Sequence, residues 1–195
     1  YKGFITRVEP SLEACFVDYG TEKQGFLPFK EIDFRYLPEV NGQRGREFSK
    51  LPVGTELIVQ VEKDERGNKG AALTSYVTLP GRYLVLMPNN SRAGGISRRI
   101  EGEERDELKT VMAQLDTPQG MSVILRTAAL GRVIEELQWD LTYLLKLWTA
   151  IRSAAEEQTG SFLIYQESSL VIRLIRDHFS PDISEILIDT EEVYT

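Results

Sequence analysis

The sequence has almost none of the residues that build disulfides and metal centres. It contains one cysteine, Cys15, and one histidine, His178, among 195 residues. A single cysteine forms no internal disulfide and is typical of a reducing compartment, so we expect a cytoplasmic protein. No apolar run approaches the ~20 residues of a membrane span, and no signal peptide is recognisable. The chain starts at Tyr1 inside a predicted strand and lacks an initiator Met, so we expect it to be part of a longer protein.

Positive charge is in deficit overall but is concentrated locally. The chain has 23 basic and 30 acidic residues and a net charge of −7, which argues against general polyanion binding. Residues 66–100, however, contain no acidic residue and six basic ones: Arg66, Lys69, Arg82, Arg92, Arg98 and Arg99. Pooled positive charge beside flexible glycines suits a phosphate backbone, and a solvated basic loop is the alternative.

Residues 1–79 contain short alternating stretches separated by turn signals. The pattern predicts strands at 2–8, 14–19, 24–27, 57–63 and 73–77. Five short strands with a long connection between the third and the fourth predict an OB-type β-barrel. An up-and-down sheet is the alternative.

The second predicted strand separates two kinds of side chain. Its period of two places Cys15, Val17 and Tyr19 on one face and Phe16 and Asp18 on the other. A phenylalanine beside an aspartate predicts partial exposure. Exposed aromatics on such a barrel can stack on nucleic-acid bases, each contributing ~1–3 kcal/mol.

A second aromatic and a basic turn complete the candidate nucleic-acid surface. Phe26, between Gly25 and Leu27, is the second candidate for the open face, and burial in the core is the alternative for both phenylalanines. Lys63, Arg66 and Lys69 lie at the turn between the last two strands, a turn that commonly lines the OB binding groove.

Residues 80–171 read as a mixed α/β unit. We predict strands at 82–87, 122–127 and 162–165, a loop at 91–99, and helices at 103–115 and 135–157. The longer helix has an apolar stripe with a spacing of three and four: Leu137, Leu141, Leu144, Trp148, Ile151 and Ala155.

Arg126 and Thr127 are the candidate phosphate ligands of this unit. Arg126 ends an apolar strand, where a charge is costly unless it is paired. A guanidinium matches a phosphate with two hydrogen bonds, and the adjacent hydroxyl adds a donor. A structural ion pair with a carboxylate such as Asp140 is the alternative.

Long, ordered motifs run through almost the whole chain. They include YKGFITRVEPSLEACFVDYG, GFLPFKEI, ERGNKGAALTSYVTLPGRYLVLMPNN, SRAGGISRRIEGEER, LQWDLTYLLKLW and LIYQESSLVIRLIRDHF. These motifs strongly resemble the bacterial ribonuclease E/G family. The resemblance implies that residues 1–79 are an OB-fold RNA-binding domain of the ribosomal-protein S-one type, with Phe16, Phe26 and Lys69 contacting RNA.

The resemblance also assigns the rest of the chain. It implies that residues 80–171 are a five-prime sensor domain, which recognises the terminal monophosphate of an RNA. Arg126 and Thr127 match the phosphate-binding pair of this sensor, and Gly81 and Val85 match positions that line its pocket. Residues 172–195, with a predicted helix at 169–179 and strand at 185–189, are then a partial RNase H-like subdomain. The expected fold class is therefore α+β.

The same resemblance implies an endoribonuclease whose magnesium is held by aspartates beyond Thr195. The resemblance also implies a zinc site in the full-length protein that takes two cysteines from each chain, whereas this chain has only Cys15. We therefore assign no catalytic or metal residue here, interpret His178, Asp182 and Asp189 as structural, and expect no cofactor and no activity in this part alone. The expected partner is single-stranded RNA with a five-prime monophosphate, not DNA or membrane, and a homo-oligomer is expected only of the full-length protein.

Two further hypotheses stay open. One is a stand-alone module that binds single-stranded RNA without a nuclease partner. The other is a small self-contained nuclease that uses carboxylates of this chain.

Overall fold

The computed structural model describes residues 1–40, 43–44, 47–167, 174, 176–177, 183–185 and 187. Twelve strands occur in this part of the chain: β1 (Lys2–Glu9), β2 (Ala14–Asp18), β3 (Gly25–Pro28), β4 (Glu39–Val40), β5 (Gln43–Arg44), β6 (Glu56–Ile58), β7 (Gln60–Lys63), β8 (Ala72–Thr74), β9 (Leu79–Pro80), β10 (Leu84–Met87), β11 (Gly95–Ile96) and β12 (Ser122–Leu125). The helices of the same part are α1 (Gly102–Gln114) and α2 (Ile134–Glu157).

The first sheet is a curled half-barrel of six strands in the order β6-β1-β2-β3-β8-β7. Its pairings are antiparallel except between β3 and β8. The two edge strands, β6 and β7, are separated along the chain only by Val59, which is 1% exposed. The sheet must curl for consecutive segments to form its opposite edges. The single strand predicted at 57–63 is thus two strands, which makes six where five were expected, and the α+β class is confirmed.

The interior of the half-barrel follows the predicted alternation. Cys15, Val17 and Tyr19 are buried in one apolar cluster, whereas Phe16 and Asp18 on the opposite face are only half-buried. Burial raises the pKa of the Cys15 thiol to about 11. The thiol is therefore a small apolar core group rather than a reactive one.

The second sheet has the order β11-β12-β10-β9 and packs against α2. The predicted stripe of α2 is buried throughout: Leu137, Leu141, Leu144, Trp148, Ile151 and Ala155. It meets Leu84, Leu86 and Leu125 of the sheet in the second apolar cluster. Both predicted helices of this unit are confirmed to within a residue. Among the described residues, no helix has the length and apolarity that crossing a bilayer requires.

Several predicted strands are shorter because other groups take their backbone hydrogen bonds. The segment predicted at 73–77 leaves the sheet after Thr74. The N–H of Ser75 donates to the carbonyl of Glu31 at 2.9 Å, and the N–H of Val77 donates to Oδ1 of Asn89 at 3.0 Å. Because the N–H groups of Ser75 and Val77 donate to these acceptors, they are not available for hydrogen bonds to β7, and the pairing of β8 with β7 ends at Thr74.

The two C-terminal strand predictions were wrong at the residues that the structure describes. Between 162 and 165 the chain forms a single bridge, from Phe162 to Lys2, and not a strand. At 185–189 the described residues Glu185 and Leu187 lie outside any strand, and Leu187 is 86% exposed. Most of the helix predicted at 169–179 lies outside the described residues, as do His178, Asp182 and Asp189. The loop predicted at 91–99 contains the short strand β11.

Lys2 joins the half-barrel to the end of α2. Its buried ammonium donates to the carbonyls of Ala155 at 2.9 Å and Gln158 at 2.6 Å, and it contacts the Glu56 carboxylate at 2.8 Å. The carbonyls at a helix C-terminus have no partner within the helix and carry partial negative charge. A cation at this position satisfies them and fixes one unit against the other.

We expect Lys2→Met to lower the free energy of unfolding by about 1.5–3 kcal/mol, because it removes charged hydrogen bonds to buried carbonyls while keeping the length of the side chain. Thermal unfolding followed by circular dichroism measures the change. The control is Lys50→Met, which removes an exposed lysine paired with Glu47 and should change little. Equal melting temperatures for both variants and the wild type would contradict the stabilising role of Lys2.

Candidate functional site

A row of side chains crosses the outer face of the half-barrel. The strand register pairs Arg7 with Phe16, Phe16 with Phe26, Phe26 with Ala72, and Ala72 with Lys63. Neighbours in such a row contact each other across the strands. Two aromatic rings and a small residue thus lie between two cations, and we call this set the aromatic row.

The rings of the aromatic row are held in place without being buried. The Phe16 and Phe26 centroids are 6.0 Å apart with the rings edge to face, and the Arg7 guanidinium carbon lies 4.3 Å from the centre of the Phe16 ring. Both rings are half-buried and belong to neither apolar cluster. The burial of these phenylalanines in the core, which the sequence left open, is therefore excluded.

Lys69 lies at the turn that leads into β8. Its backbone exchanges two hydrogen bonds with Arg66, and its side chain is exposed. Gly70 follows directly against the Gln24 carbonyl, since an added Cβ would come within 1.9 Å of that oxygen. Phe26 then donates its N–H to Ala71 at 2.8 Å. The structure thus brings the turn of Lys69 to the strand that carries Phe26, as the candidate surface requires.

Arg7 is a member of this surface that was not predicted from the sequence. Period-two alternation places Arg7 on the same face as the buried Ile5. The register of β1 against β2 shifts between these residues, so that Arg7 becomes exposed. A β-bulge of this kind has no clear sequence signature.

Asp140 of α2 organises the other candidate site. Its carboxylate accepts hydrogen bonds from three successive backbone amides, those of Arg82 at 3.1 Å, Tyr83 at 2.8 Å and Leu84 at 3.1 Å. Gly81 donates its own N–H to the Leu84 carbonyl at 2.8 Å. The turn between β9 and β10 is thus fixed on the helix, and β10 begins at Leu84 and not at residue 82 as predicted.

Arg126 approaches this turn from the end of β12. Its backbone N–H donates to the Tyr83 carbonyl at 2.8 Å, and Nη1 of its side chain donates to the Gly81 carbonyl at 2.6 Å. The guanidinium forms an ion pair with Asp177, at 2.9 Å between Nη1 and Oδ1. The ion pair with a carboxylate that the sequence left open as the alternative is therefore present. The partner suggested for it, Asp140, was wrong, because the Asp140 carboxylate is engaged by backbone amides.

Asp177 lies between two guanidinium groups. Besides Arg126, it accepts from Nε of Arg176 at 3.1 Å. Arg176 also donates to the Pro80 carbonyl at 3.2 Å and to the Glu167 carboxylate. Hydrogen bonds from Arg126 and then from Arg176 hold the pKa of the Asp177 carboxyl well below its usual range. Asp177 is consequently an ionised acceptor at every physiological pH.

The other two predicted pocket residues flank this arrangement. Thr127 is exposed and begins the short 3-10 turn Thr127–Ala129 directly after Arg126. Val85 is half-buried on β10, where it pairs with Pro80, the residue before Gly81. Gly81 and Arg126 are therefore in direct contact, Val85 lies on the strand that follows the turn, and Thr127 is next to Arg126 in the chain.

The other basic residues of segment 66–100 do not form one cluster. Arg92, Arg98 and Arg99 are exposed around β11, whereas Arg66 and Lys69 lie on the half-barrel. In the described part of the chain, no three His, Cys, Asp or Glu side chains cluster closely enough to hold a metal ion. The two candidate sites present aromatic rings and guanidinium donors among these residues.

We expect Gly81→Ala to destabilise the chain by about 1–3 kcal/mol, the usual cost of overpacking. The added Cβ would lie 2.4 and 2.6 Å from the Asp140 carboxylate oxygens, and this carboxylate is held by three amides and has no room to move. The matched control is Gly95→Ala, where an added Cβ meets nothing within 4 Å. Thermal unfolding of both variants measures the difference, and similar melting temperatures would contradict the tight packing at Gly81.

Comparison with known proteins matches the chain to one family. The model of the "Ribonuclease E/G family" matches residues 78–195, which is more than half of the chain. Ribonuclease E of Escherichia coli is 58% identical over 195 residues, covering 99% of this chain and 18% of that protein. Ribonuclease E of Haemophilus influenzae is also 58% identical, with coverage of 100% and 21%.

A more distant relative extends the match. Ribonuclease G of Escherichia coli is 38% identical over 201 residues, covering all of this chain and 40% of that protein. The chain thus spans about a fifth of the length of the ribonuclease E relatives. On the family match and these identities, the chain belongs to the ribonuclease E/G family.

Proposed function

We propose that the chain is the RNA-binding and five-prime-monophosphate-sensing part of a ribonuclease E/G-type endoribonuclease that acts in RNA processing and decay. In this proposal residues 1–79 are an OB-fold RNA-binding domain, residues 80–171 are the five-prime sensor, and residues 172–195 are part of an RNase H-like subdomain. Family membership supports the RNA substrate, and the two candidate sites support the division of roles.

The aromatic row supports RNA binding by the half-barrel. A base of any sequence can stack on the half-buried rings of Phe16 and Phe26, because every base has a π-face. The cations Arg7 and Lys63 border the rings in the row, and Lys69 lies on the adjacent turn, where they can neutralise the phosphates of the same strand. Binding of this kind tolerates many sequences and is indifferent to the end of the RNA.

The observation that carries the sensor role is the position of Arg126. Its side chain follows a buried strand and is 30% exposed, and its guanidinium is held by the carbonyl of Gly81. Thr127, with its hydroxyl, follows it in the chain. A guanidinium and an adjacent hydroxyl suit the terminal oxygens of a phosphate monoester, and only an RNA with a five-prime phosphate offers this extra contact.

The two sites therefore contribute to different quantities. The half-barrel sets the affinity for single-stranded RNA, and the pocket adds the preference for one kind of end. A charged hydrogen-bonded contact contributes about 1.5–3 kcal/mol, which corresponds to roughly a 10- to 150-fold preference at full occupancy. Hydrolysis itself is proposed for the whole protein, and we assign no step of it to the residues described here.

We expect Arg126→Ala to remove the preference for a five-prime monophosphate, with a loss of about tenfold or more in the affinity for the phosphorylated RNA. The measurement is the dissociation constant of one short single-stranded RNA that carries either a monophosphate or a hydroxyl, at fixed salt and without magnesium. Arg126→Lys should recover little, because an ammonium has no bidentate edge. The control is Arg152→Ala, at an exposed arginine of α2 paired with Glu156.

Three outcomes separate the hypotheses. A preference that Arg126→Ala removes supports the sensor. Equal affinity of the wild type for both ends contradicts the sensor and leaves an RNA-binding module. Unfolding of Arg126→Ala, seen by circular dichroism, would show that the ion pair with Asp177 is mainly structural.

We expect Phe16→Ala and Lys69→Ala to weaken binding of both RNAs by the same factor, because neither residue reads the end. Loss of one stacked ring costs ~1–3 kcal/mol. Loss of one phosphate contact lowers the slope of log affinity against log salt by about 1. Phe34→Ala is the control, at a phenylalanine that is exposed but outside the aromatic row. A change confined to the phosphorylated RNA would contradict the assigned roles.

A further inference from the structure

The Arg126 guanidinium has five N–H donors, and its contacts use only some of them. Nη1 donates one hydrogen to the Gly81 carbonyl at 2.6 Å and the other to Oδ1 of Asp177 at 2.9 Å. Nη2 donates one hydrogen to Oδ2 of Asp177 at 3.3 Å. Three donors are therefore engaged, and all of them lie at the Nη end of the group.

The remaining donors form one edge of the guanidinium plane. They are the Nε–H and the second Nη2–H, which point in the same direction. No residue of the described part accepts a hydrogen bond from this edge. Two parallel N–H groups on one edge match two oxygens of a phosphate, as they match a carboxylate.

The surroundings of Asp177 limit its ability to repel a phosphate. Arg176 donates to the same carboxylate through Nε at 3.1 Å and through Nη2 at 3.5 Å. Since Arg176 also pairs with the Glu167 carboxylate, the two guanidinium groups balance the two carboxylates of this cluster. Arg176 also bonds the Pro80 carbonyl at 3.2 Å, one residue before the carbonyl that holds Arg126. Arg176 thus links the Asp177 carboxylate to the Pro80 carbonyl, while the carboxylate and the Gly81 carbonyl both hold the Nη end of Arg126.

We propose that Asp177 is a positioning residue of the phosphate pocket, which fixes Arg126 by its Nη end and leaves the Nε–Nη2 edge for the five-prime phosphate. This inference rests on the proposed sensor function. Free arginine side chains occupy many rotamers, and ordering one on binding costs affinity. A guanidinium already held by Asp177 and Gly81 avoids that cost. Asp177 itself does not touch the RNA.

The alternative for Asp177 is competition, in which its carboxylate occupies the place of the phosphate and must be displaced. The two roles predict opposite signs. Under positioning, removal of the carboxylate frees Arg126 and weakens binding of the phosphorylated RNA. Under competition, removal strengthens it. The use of the Nη end, with the Nε edge left over, favours positioning.

The test is the affinity of Asp177→Ala for the same short RNA with a five-prime monophosphate and with a hydroxyl. We expect the ratio of the two affinities to fall by about tenfold, with the affinity for the hydroxyl RNA within about twofold of the wild type. Asp177→Asn keeps one acceptor oxygen and should lie between the two. The control is Asp106→Ala, which removes the same charge from an exposed site paired with Lys109.

An unchanged ratio overturns the inference, and so does an increased one, which would establish competition. If the wild type shows no preference, or if Arg126→Ala keeps it, the proposed function fails instead. If Arg126→Ala removes the preference and Asp177→Ala does not, only the role of Asp177 fails.

A second measurement needs no variant that folds poorly. Proton–nitrogen correlation NMR observes the Nε–H group of each arginine. Addition of the monophosphorylated RNA to the wild type should shift the Arg126 Nε–H resonance, and the hydroxyl RNA should leave it in place. An Arg126 Nε–H that responds to neither RNA overturns the assignment of this edge to the phosphate.

Discussion

The three hydrogen bonds that the Asp140 carboxylate accepts from successive backbone amides are the constraint on which the second sheet and its helix α2 depend. The carboxylate accepts from Arg82, Tyr83 and Leu84, and so it fixes the turn between β9 and β10 on the buried face of α2. This turn positions the Gly81 carbonyl, which accepts a hydrogen bond from Nη1 of Arg126 at 2.6 Å. A helix packed by its apolar stripe therefore determines where a charged group at the end of a distant strand can lie. Gly81 must be glycine because the space of a Cβ is taken by the carboxylate.

A chain with a net charge of −7 can bind a polyanion only if its cations are placed locally. In the half-barrel, Arg7 and Lys63 lie at the two ends of the aromatic row. The second unit uses arginine in another way, because Arg126 is held by neighbours that consume part of its donor set. In the proposed function, the first arrangement binds any single strand of RNA and the second binds one chemical end. The acidic remainder of the surface opposes unspecific attachment to nucleic acid.

Periodicity was sufficient where burial decides the structure. The alternation at 14–19 separates Cys15 and Val17 from Phe16 correctly, and the spacing in α2 predicts its buried stripe, because both follow from one face meeting a core. Periodicity does not predict hydrogen bonds between residues that are distant in the sequence. Arg126 and Asp177 are 51 residues apart, so no local pattern links them. The break at Val59 between β6 and β7 does not disturb the alternation of residues 57–63, so the pattern predicts one strand instead of two. The resemblance to a family supplied the four proposed pocket residues, Gly81, Val85, Arg126 and Thr127, and it did not supply Asp177.

The central claim is that a terminal phosphate is bound by the Arg126 pocket of this chain. The most direct measurement is phosphorus NMR of a short five-prime monophosphorylated RNA, titrated with the chain in the absence of magnesium. Its terminal monoester resonates apart from the phosphodiesters of the backbone. The account predicts that the monoester resonance shifts on binding, and that it does so less with Arg126→Ala at equal saturation of the RNA. A shift confined to the phosphodiesters would show that the half-barrel alone binds the RNA and would contradict the claim.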